Sequence, residues 1–320
     1  MNDSAGSQPA DPYLQNLTLR LVLGAANFDA PMRDLHATWL RDQQRDDGGF
    51  AGREGESDPY YTTFALRSLL VLGALDESIG TRAGAFLRSR MQQKESIIDL
   101  ISLIFGAAIC EMAVGVVVIS DDDLAWRNKV AGLLASLRTP DGGFAKTPEG
   151  RAGSTYQTFL SALCYQLIEI DVPDVDGIMR FLKSQAQDDG GFMEIRVAKR
   201  AGVNPTAAAI GTLKTLGRLP ELDHVNTIDF LAEMQSDEGG LTANTRIPFA
   251  DLLSTCTGLI TLVDLQASNE IDLAAIRRYA LSMQSASGGF TGFSLDQTTD
   301  VEYTFYGLAS LALCELASSG

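Results

Sequence analysis

A Gly-Gly pair followed by an apolar residue recurs along the chain, at Gly48-Gly49-Phe50, Gly142-Gly143-Phe144, Gly190-Gly191-Phe192, Gly239-Gly240-Leu241 and Gly288-Gly289-Phe290. The first glycines are 94, 48, 49 and 49 residues apart. A fixed period of this length implies an array of like units, since each unit can bury its apolar face only against its neighbours. The first interval is nearly a double step and predicts a degenerate sixth unit near Lys94-Glu95. There Phe86-Leu87-Arg88-Ser89-Arg90-Met91 is similar to Phe181-Leu182-Lys183-Ser184-Gln185 of a clear unit.

Each unit reads as a helical hairpin. Ahead of the glycines runs an apolar-periodic segment, such as Phe230-Leu231-Ala232-Glu233-Met234-Gln235, which predicts an outer helix ended by the positive φ of glycine. Behind them a polar residue, then Thr, then a small residue keep one phase. The series runs Asp58/Thr62/Ala65, Asp99/Leu103/Gly106, Ser154/Thr158/Ser161, Gly202/Thr206/Ala209, Asp251/Thr255/Gly258 and Asp300/Thr304/Gly307. Small residues there let helices approach closely. The runs that follow, such as Leu308-Ala309-Ser310-Leu311-Ala312-Leu313, are apolar almost all round, which predicts buried inner helices.

An open solenoid needs polar capping repeats, yet the last inner helix is as apolar as the internal ones. The units should therefore close into a ring. The expected architecture is an all-α, α6/α6 toroid of six hairpins around a central cavity. Its repeats span 35–75, 83–118, 124–170, 176–218, 226–267 and 272–316, all within one domain at 13–320. Residues 1–12 are expected to be disordered. Tyr13 to Phe28 reads as an additional helix on the outside or over one end.

Composition narrows the function. A chain of 320 residues, 45% apolar, can bury roughly three quarters of its unfolded surface in one large core. A net charge of −16 and a pI near 4.5 argue against nucleic acid, whose phosphates require clustered Lys and Arg. Cys110, Cys164, Cys256 and Cys314 sit in apolar or small-residue runs without metal-ligand spacing and read as buried, reduced thiols. Met1 to Pro12 has neither a basic nor an apolar stretch of the secretory kind, so a cytoplasmic location is expected. Ile97 to Ser120 is interrupted by Asp99, Glu111 and several Gly and Ser; it reads as a buried helix rather than a membrane span.

The segments Gln44-Arg45-Asp46-Asp47-Gly48-Gly49-Phe50, Gln235-Ser236-Asp237-Glu238-Gly239-Gly240-Leu241 and Gln284-Ser285-Ala286-Ser287-Gly288-Gly289-Phe290 resemble the glutamine-and-glycine repeat of the prenyltransferase and squalene-cyclase superfamily. The resemblance runs from Leu35 to Leu316. It implies a barrel whose cavity, lined by inner helices and aromatic residues, holds a farnesyl, geranylgeranyl or longer isoprenoid. A single toroid of this size looks like the β subunit of a protein prenyltransferase, whereas proton-initiated terpene cyclases usually carry two toroids.

Asp300-Val301-Glu302-Tyr303-Thr304-Phe305 is similar to the segment that supplies two zinc ligands in protein prenyltransferases, with Glu302 where a cysteine would stand. Asp58-Pro59-Tyr60-Tyr61-Thr62 is similar to the segment of the third ligand, with Tyr61 in place of histidine. The only histidines, His36 and His224, lie outside the pattern. Zinc would activate an acceptor thiolate; an Asp300 and Glu302 pair suits Mg²⁺ better. On the diphosphate side, the family's loop cations are replaced by Phe293 and Asp296, while Tyr303 and Arg53 match family positions. Arg196, Lys199, Arg200 and Arg246 add positive charge that the ring would bring to the same rim.

The carboxylates Asp58, Asp99, Asp251 and Asp300 stand at inner-helix starts, where N-capping accounts for them. In a closed ring those starts converge on one mouth. The nearness of Asp300 and Glu302 would raise one pKa where water is excluded, and the segment also resembles, in part, the acid motif of proton-initiated cyclases, with Glu302 at the acid position. Tyr60, Tyr61, Phe64, Tyr156, Phe159, Tyr303, Phe305 and Tyr306 cluster at the same helix starts, either as core or as ring faces for an allylic cation. Asp121-Asp122-Asp123 reads as a helix N-terminus.

The candidate catalytic set is thus Asp300, Glu302, Tyr303, Asp58 and Tyr61. Tyr60, Phe64, Tyr156, Phe159, Asp251 and Tyr306 are the candidate cavity residues, and Arg53, Arg196, Lys199, Arg200 and Arg246 the candidate diphosphate ligands. Three functions remain open. The leading one is a prenyltransferase β-like enzyme moving an isoprenoid from its diphosphate to an acceptor, with an α-subunit-like protein or acceptor peptide as partner. The others are a proton-initiated cyclase using Asp300 and Glu302, and a non-catalytic binder of isoprenoids or peptides.

Overall fold

The computed structural model describes residues 12–91, 96–119 and 124–318. Residues 1–11, Lys94-Glu95 and the Asp121-Asp122-Asp123 run lie outside them. After α1 (Tyr13–Ala25) the chain forms outer and inner helices in alternation. The pairs are α2 (Ala30–Asp42) and α3 (Pro59–Val71), α4 (Glu77–Arg90) and α5 (Ile97–Val114), α6 (Leu124–Ser136) and α7 (Thr155–Leu167). There follow α8 (Val175–Gln185) and α9 (Val203–Thr215), α10 (Val225–Glu233) and α11 (Leu252–Asp264), and α12 (Leu273–Ser282) and α13 (Val301–Ser318). The inner helices pack in sequence, α3 on α5, α5 on α7, α7 on α9, α9 on α11 and α11 on α13. The packing of α13 back onto α3 closes the ring.

The recurring Thr explains why the Gly-Gly loop and the inner helix travel together. The N–H of each loop's apolar residue donates to that Thr: Phe50 to Thr62 at 2.9 Å, Phe144 to Thr158 at 3.0 Å, Phe192 to Thr206 at 2.9 Å, Leu241 to Thr255 at 2.9 Å and Phe290 to Thr304 at 3.1 Å. In most units the hydroxyl in turn donates to the helix-capping carbonyl, as Thr206 does to Gly202 at 2.7 Å. The small residue three positions on receives the loop side chain. A Cβ on Gly307 would lie 2.4 Å from the Phe290 ring, and one on Gly258 the same distance from Leu241. The notch thus admits a loop side chain, and at Gly106 it admits the neighbouring helix, whose Thr63 hydroxyl a Cβ would meet at 2.5 Å. The sequence of the degenerate unit has neither the Gly-Gly pair nor the Thr, carrying Leu103 instead.

The glycines do not end the outer helices. Gly48, with φ +88°, sits in a turn several residues beyond Asp42, where its missing Cβ makes room for the carbonyl of Arg82 on the next outer helix. Gln235 ties the same junction together in the fifth unit: its amide donates to the Gly239 and Asp272 carbonyls and its oxygen accepts from the Asp272 N–H.

At the seam the sixth loop rests on α2. The His36 ring stacks on Phe290 at 4.7 Å, and its Nδ1 accepts from the Gly289 N–H at 3.1 Å. Burial lowers the His36 pKa to about 4, so the ring is neutral and serves the fold. Helix α5 is the one described helix long and apolar enough to cross a membrane, and it lies in the inner ring against α3, α4 and α7. All four cysteines are buried free thiols, and burial pushes each pKa up to about 12.

Helix α1 lies over one end of the ring. It packs on α13, α3 and α9, close enough that a Cβ on Gly24 would meet the Ala312 carbonyl oxygen at 2.0 Å. Tyr13 anchors the helix by donating to Asp264 at 2.9 Å, a carboxylate that also pairs with Arg20 at 2.8 Å and Lys214 at 2.5 Å.

The Thr206 contact predicts a specific cost. Thr206→Val should leave the buried Phe192 N–H without an acceptor and lower stability by about 1 to 3 kcal/mol, whereas Thr206→Ser should retain most of it. Urea unfolding of both variants checks this.

Candidate functional site

All inner helices begin at the end of the ring opposite α1, so their positive dipole ends face one mouth. Asp58 caps α3 through the Tyr61 N–H at 2.8 Å, Ser154 caps α7, Asp251 caps α11 through the Ser254 N–H at 2.7 Å, and Asp300 caps α13 through the Tyr303 N–H at 2.8 Å. Helix α5 differs from expectation. It starts a turn early, at a Ser96 cap, and Asp99 sits in its first turn accepting from the Ser96 hydroxyl at 2.7 Å.

Below the mouth is a cavity of about 490 Å³ lined by residues of all six inner helices, with Tyr13, Leu14 and Leu17 of α1 as its floor. The size suits a small molecule, and the lining is mostly aliphatic and aromatic. Tyr60, Phe64, Tyr156, Phe159 and Tyr306 all line it, whereas Asp251 is spent on its helix cap and on the Ser254 hydroxyl.

Of the candidate catalytic residues, Glu302 alone lines the cavity. Its Oε1 accepts from the Tyr60 hydroxyl at 2.7 Å and the Tyr306 hydroxyl at 3.2 Å. Burial raises the Glu302 pKa above the ordinary carboxylate range, and nearby Asp300 adds to the rise. The tyrosine donors oppose it without cancelling it. Both hydroxyls reach the same oxygen, so Oε2 carries no hydrogen bond from the described residues and can hold a proton facing the cavity.

The other members stand outside the lining. Tyr61 packs on Gly52 and edge-on against Tyr60 at 5.2 Å, so Tyr60 rather than Tyr61 faces Glu302 across the seam. Tyr303 packs on Gly292 beneath Arg53, whose Cζ is 5.6 Å from its ring centroid. Asp58 is a helix cap whose pKa is raised by burial.

Arg53 does not present a free cation. Its Nε pairs with Asp300 at 2.7 Å and its other nitrogens bind Asp296. It joins the first loop to the sixth, and Asp296, standing where the family carries a cation, is what captures it. Arg196, Lys199, Arg200 and Arg246 are exposed on the fourth and fifth loops, where Arg200 donates to Thr245 at 3.1 Å. Among the described residues no three His, Cys, Asp or Glu side chains converge as a metal would require. Asp300 is held by Arg53 and Glu302 by two tyrosines, so the donor set fits neither Zn²⁺ nor Mg²⁺.

Two charged cavity residues escaped the reading of the sequence. Glu194, from the fourth loop, accepts from the Ser154 hydroxyl and carries a pKa raised by burial. Arg67 lines the cavity on the same face of α3 as Tyr60 and Phe64. Its spacing from Tyr60, seven residues, is the signal that would have found it.

A sixfold helical ring with one stoppered end and one open end defines an α/α toroid enclosing a ligand cavity. The chain belongs to the prenyltransferase alpha-alpha toroid domain family, whose model matches residues 13–318. None of the curated proteins matches the sequence. Among solved structures, protein geranylgeranyltransferase-I from Candida albicans, complexed with GGPP, is 15% identical with a TM-score of 0.52, covering 98% of this chain and 86% of that one. The type II terpene cyclase MstE from Scytonema, in complex with geranylgeranyl dihydroxybenzoate, is 13% identical with a TM-score of 0.59, covering 96% and 99%. That cyclase matches over nearly its whole length, so a single toroid does not by itself point away from cyclases. An α-1,6-mannanase from Salegentibacter has a TM-score of 0.56 at 13% identity, covering 95% and 98%. At these identities the likeness is one of fold, and function must be argued from the site.

The raised pKa of Glu302 has a sign. A carboxyl that binds its proton more tightly when folded contributes most at low pH, and that contribution is lost as pH rises through its folded pKa. Glu302→Gln should therefore gain stability relative to the native protein as pH rises from roughly 4 towards 7. Urea unfolding across that range measures it, and a difference independent of pH would mean Glu302 titrates as an exposed carboxyl.

Proposed function

We propose that the protein is a proton-initiated isoprenoid cyclase in which Glu302 is the general acid. The observation that carries this reading is the Glu302 carboxyl in the wall of an apolar, aromatic-lined cavity, with Tyr60 and Tyr306 both bound to Oε1 and Oε2 left bare. Burial raises the carboxyl's pKa, the direction that a general acid working near neutral pH requires.

In the reaction Oε2 gives its proton to one carbon of a trisubstituted alkene. The alkene's π electrons form the new C–H bond, and the adjacent carbon becomes a tertiary cation. The next double bond attacks that cation and closes a ring. A neighbouring carbon then gives up a proton to water, its C–H electrons forming the new alkene, and a proton passes from water at the mouth back to Glu302. The net change is an isomerisation, with no leaving group. Tyr60, Phe64, Tyr306 and Phe305 are packed ring against ring near Glu302 and present π faces to the cation. The two tyrosines also hold the carboxyl's orientation, and they stabilise the carboxylate once the proton has left.

Transfer from a prenyl diphosphate fits the site less well. It needs cations at the mouth, where Arg53 is already neutralised by Asp296 and Asp300. It also needs an activated acceptor, for which protein prenyltransferases use zinc and for which no ligand set assembles among the described residues.

Glu302→Gln keeps the shape and removes the acid. Turnover of a polyprenyl substrate to cyclic product should fall by about 10² to 10⁴-fold, with binding little changed. Gas chromatography and mass spectrometry of the products check this. Unchanged product yield in the variant would rule Glu302 out as the acid, and release of inorganic diphosphate would point to prenyl transfer instead.

A further inference from the structure

Arg67 is a cation without an anion. Its guanidinium lies against the Phe305 ring, with Cζ 3.8 Å from the centroid, and near Phe64 and Phe105 at 5.6 and 5.4 Å. Its Nε is buried with no hydrogen-bond partner, and no carboxylate of the described residues lies within ion-pair distance. The remainder of the head faces the cavity. Burial lowers its pKa to about 10, which still leaves it charged at neutral pH.

An unpaired charge in an apolar interior is costly and persists only when something compensates it. Aromatic faces compensate in part, but they do not satisfy the donors. The other buried ions of this protein show the alternative: Asp264, for example, is paired with Arg20, Lys214 and Tyr13. Arg67 stands two helical turns below Tyr60, towards the α1 floor, so the cavity is electrically polarised. The Glu302 carboxyl sits near the mouth and a fixed cation sits deep within.

We propose that Arg67 is a binding residue for the carboxylate of the substrate, so that the ligand is an isoprenoid acid that enters carboxylate first. This rests on the cavity being an isoprenoid site, as argued above. A planar guanidinium matches a carboxylate as a two-pronged donor, and one cation balances one negative charge. A diphosphate would bring more charge than Arg67 neutralises and would be stripped of water in an apolar chamber. The orientation agrees with the chemistry: with the acid group held at the floor, the far alkene of the chain lies near Glu302, and the carbocation forms away from the Arg67 charge.

The test is equilibrium binding, which does not depend on turnover. Binding of geranylgeranoic acid, geranylgeraniol and geranylgeranyl diphosphate is measured by calorimetry to the native protein, Arg67→Met, Arg67→Lys and Glu302→Gln. The native protein should prefer the acid over the alcohol by about tenfold or more. Arg67→Met should abolish that preference while leaving alcohol binding intact, and intact alcohol binding also shows that the variant is folded. Arg67→Lys should keep an intermediate preference, and Glu302→Gln should keep the full one even where turnover is gone. The proposal is overturned if the alcohol binds the native protein as tightly as the acid, if Arg67→Met retains the preference, or if the diphosphate binds more tightly than the acid in an Arg67-dependent way. A native protein that shows the acid preference yet forms no cyclic product would count against the Glu302 reading alone.

Discussion

Six helices joined side to side in a closed ring cannot fill their own centre. In a regular hexagon the distance from helix to axis equals the spacing between neighbours, about 8–10 Å for packed helices, while a helix with its side chains reaches only about 5–6 Å from its own axis. A channel the width of a hydrocarbon chain is left along the axis. Contact of α13 with α3 is therefore the constraint on which the site depends. It closes the ring, creates the cavity and brings Tyr60 of the first unit to Glu302 of the last.

That seam is held differently on its two levels. On the outside, neutral His36 stacks on Phe290 and accepts from the sixth loop. At the mouth, Arg53 of the first loop is clasped by Asp296 and Asp300 of the last. A cation that could meet a ligand in a related toroid is here part of the closure. Positive charge in the binding region is left with Arg67, well below the mouth. The stopper helix α1 completes the chamber from below, so its open end is the ring of inner-helix starts.

Much of the fold was legible because its signals are local and repeated. The Gly-Gly loop, the Thr that accepts from it and the small residue that makes room for its side chain lie at fixed spacing, and five copies in register fix the hairpin without any knowledge of the ring. Closure was legible indirectly, through the apolar last helix. The site was legible only in part. Aromatic residues at inner-helix starts do line the cavity, but spacing alone could not separate Tyr60, which turns inward, from Tyr61, which packs on Gly52. Asp58, Asp251 and Asp300 could be read in sequence either as caps or as site carboxylates, and each is a helix cap. What distinguishes Glu302 is that it stands two residues past its cap, free of that duty and facing the axis. Arg67 was missed because its importance lies in the anion it lacks, which no sequence pattern expresses.

Proton delivery to an alkene leaves an isotopic mark that ionisation of a diphosphate does not. The most direct test incubates the protein with geranylgeranoic acid in deuterium oxide and determines the mass of the cyclised product. The account predicts a cyclic isomer carrying deuterium at the carbon that receives the acid's proton, absent in Glu302→Gln. A cyclic product without deuterium would contradict it, as would a linear isoprenoid recovered unchanged by a protein shown to bind it.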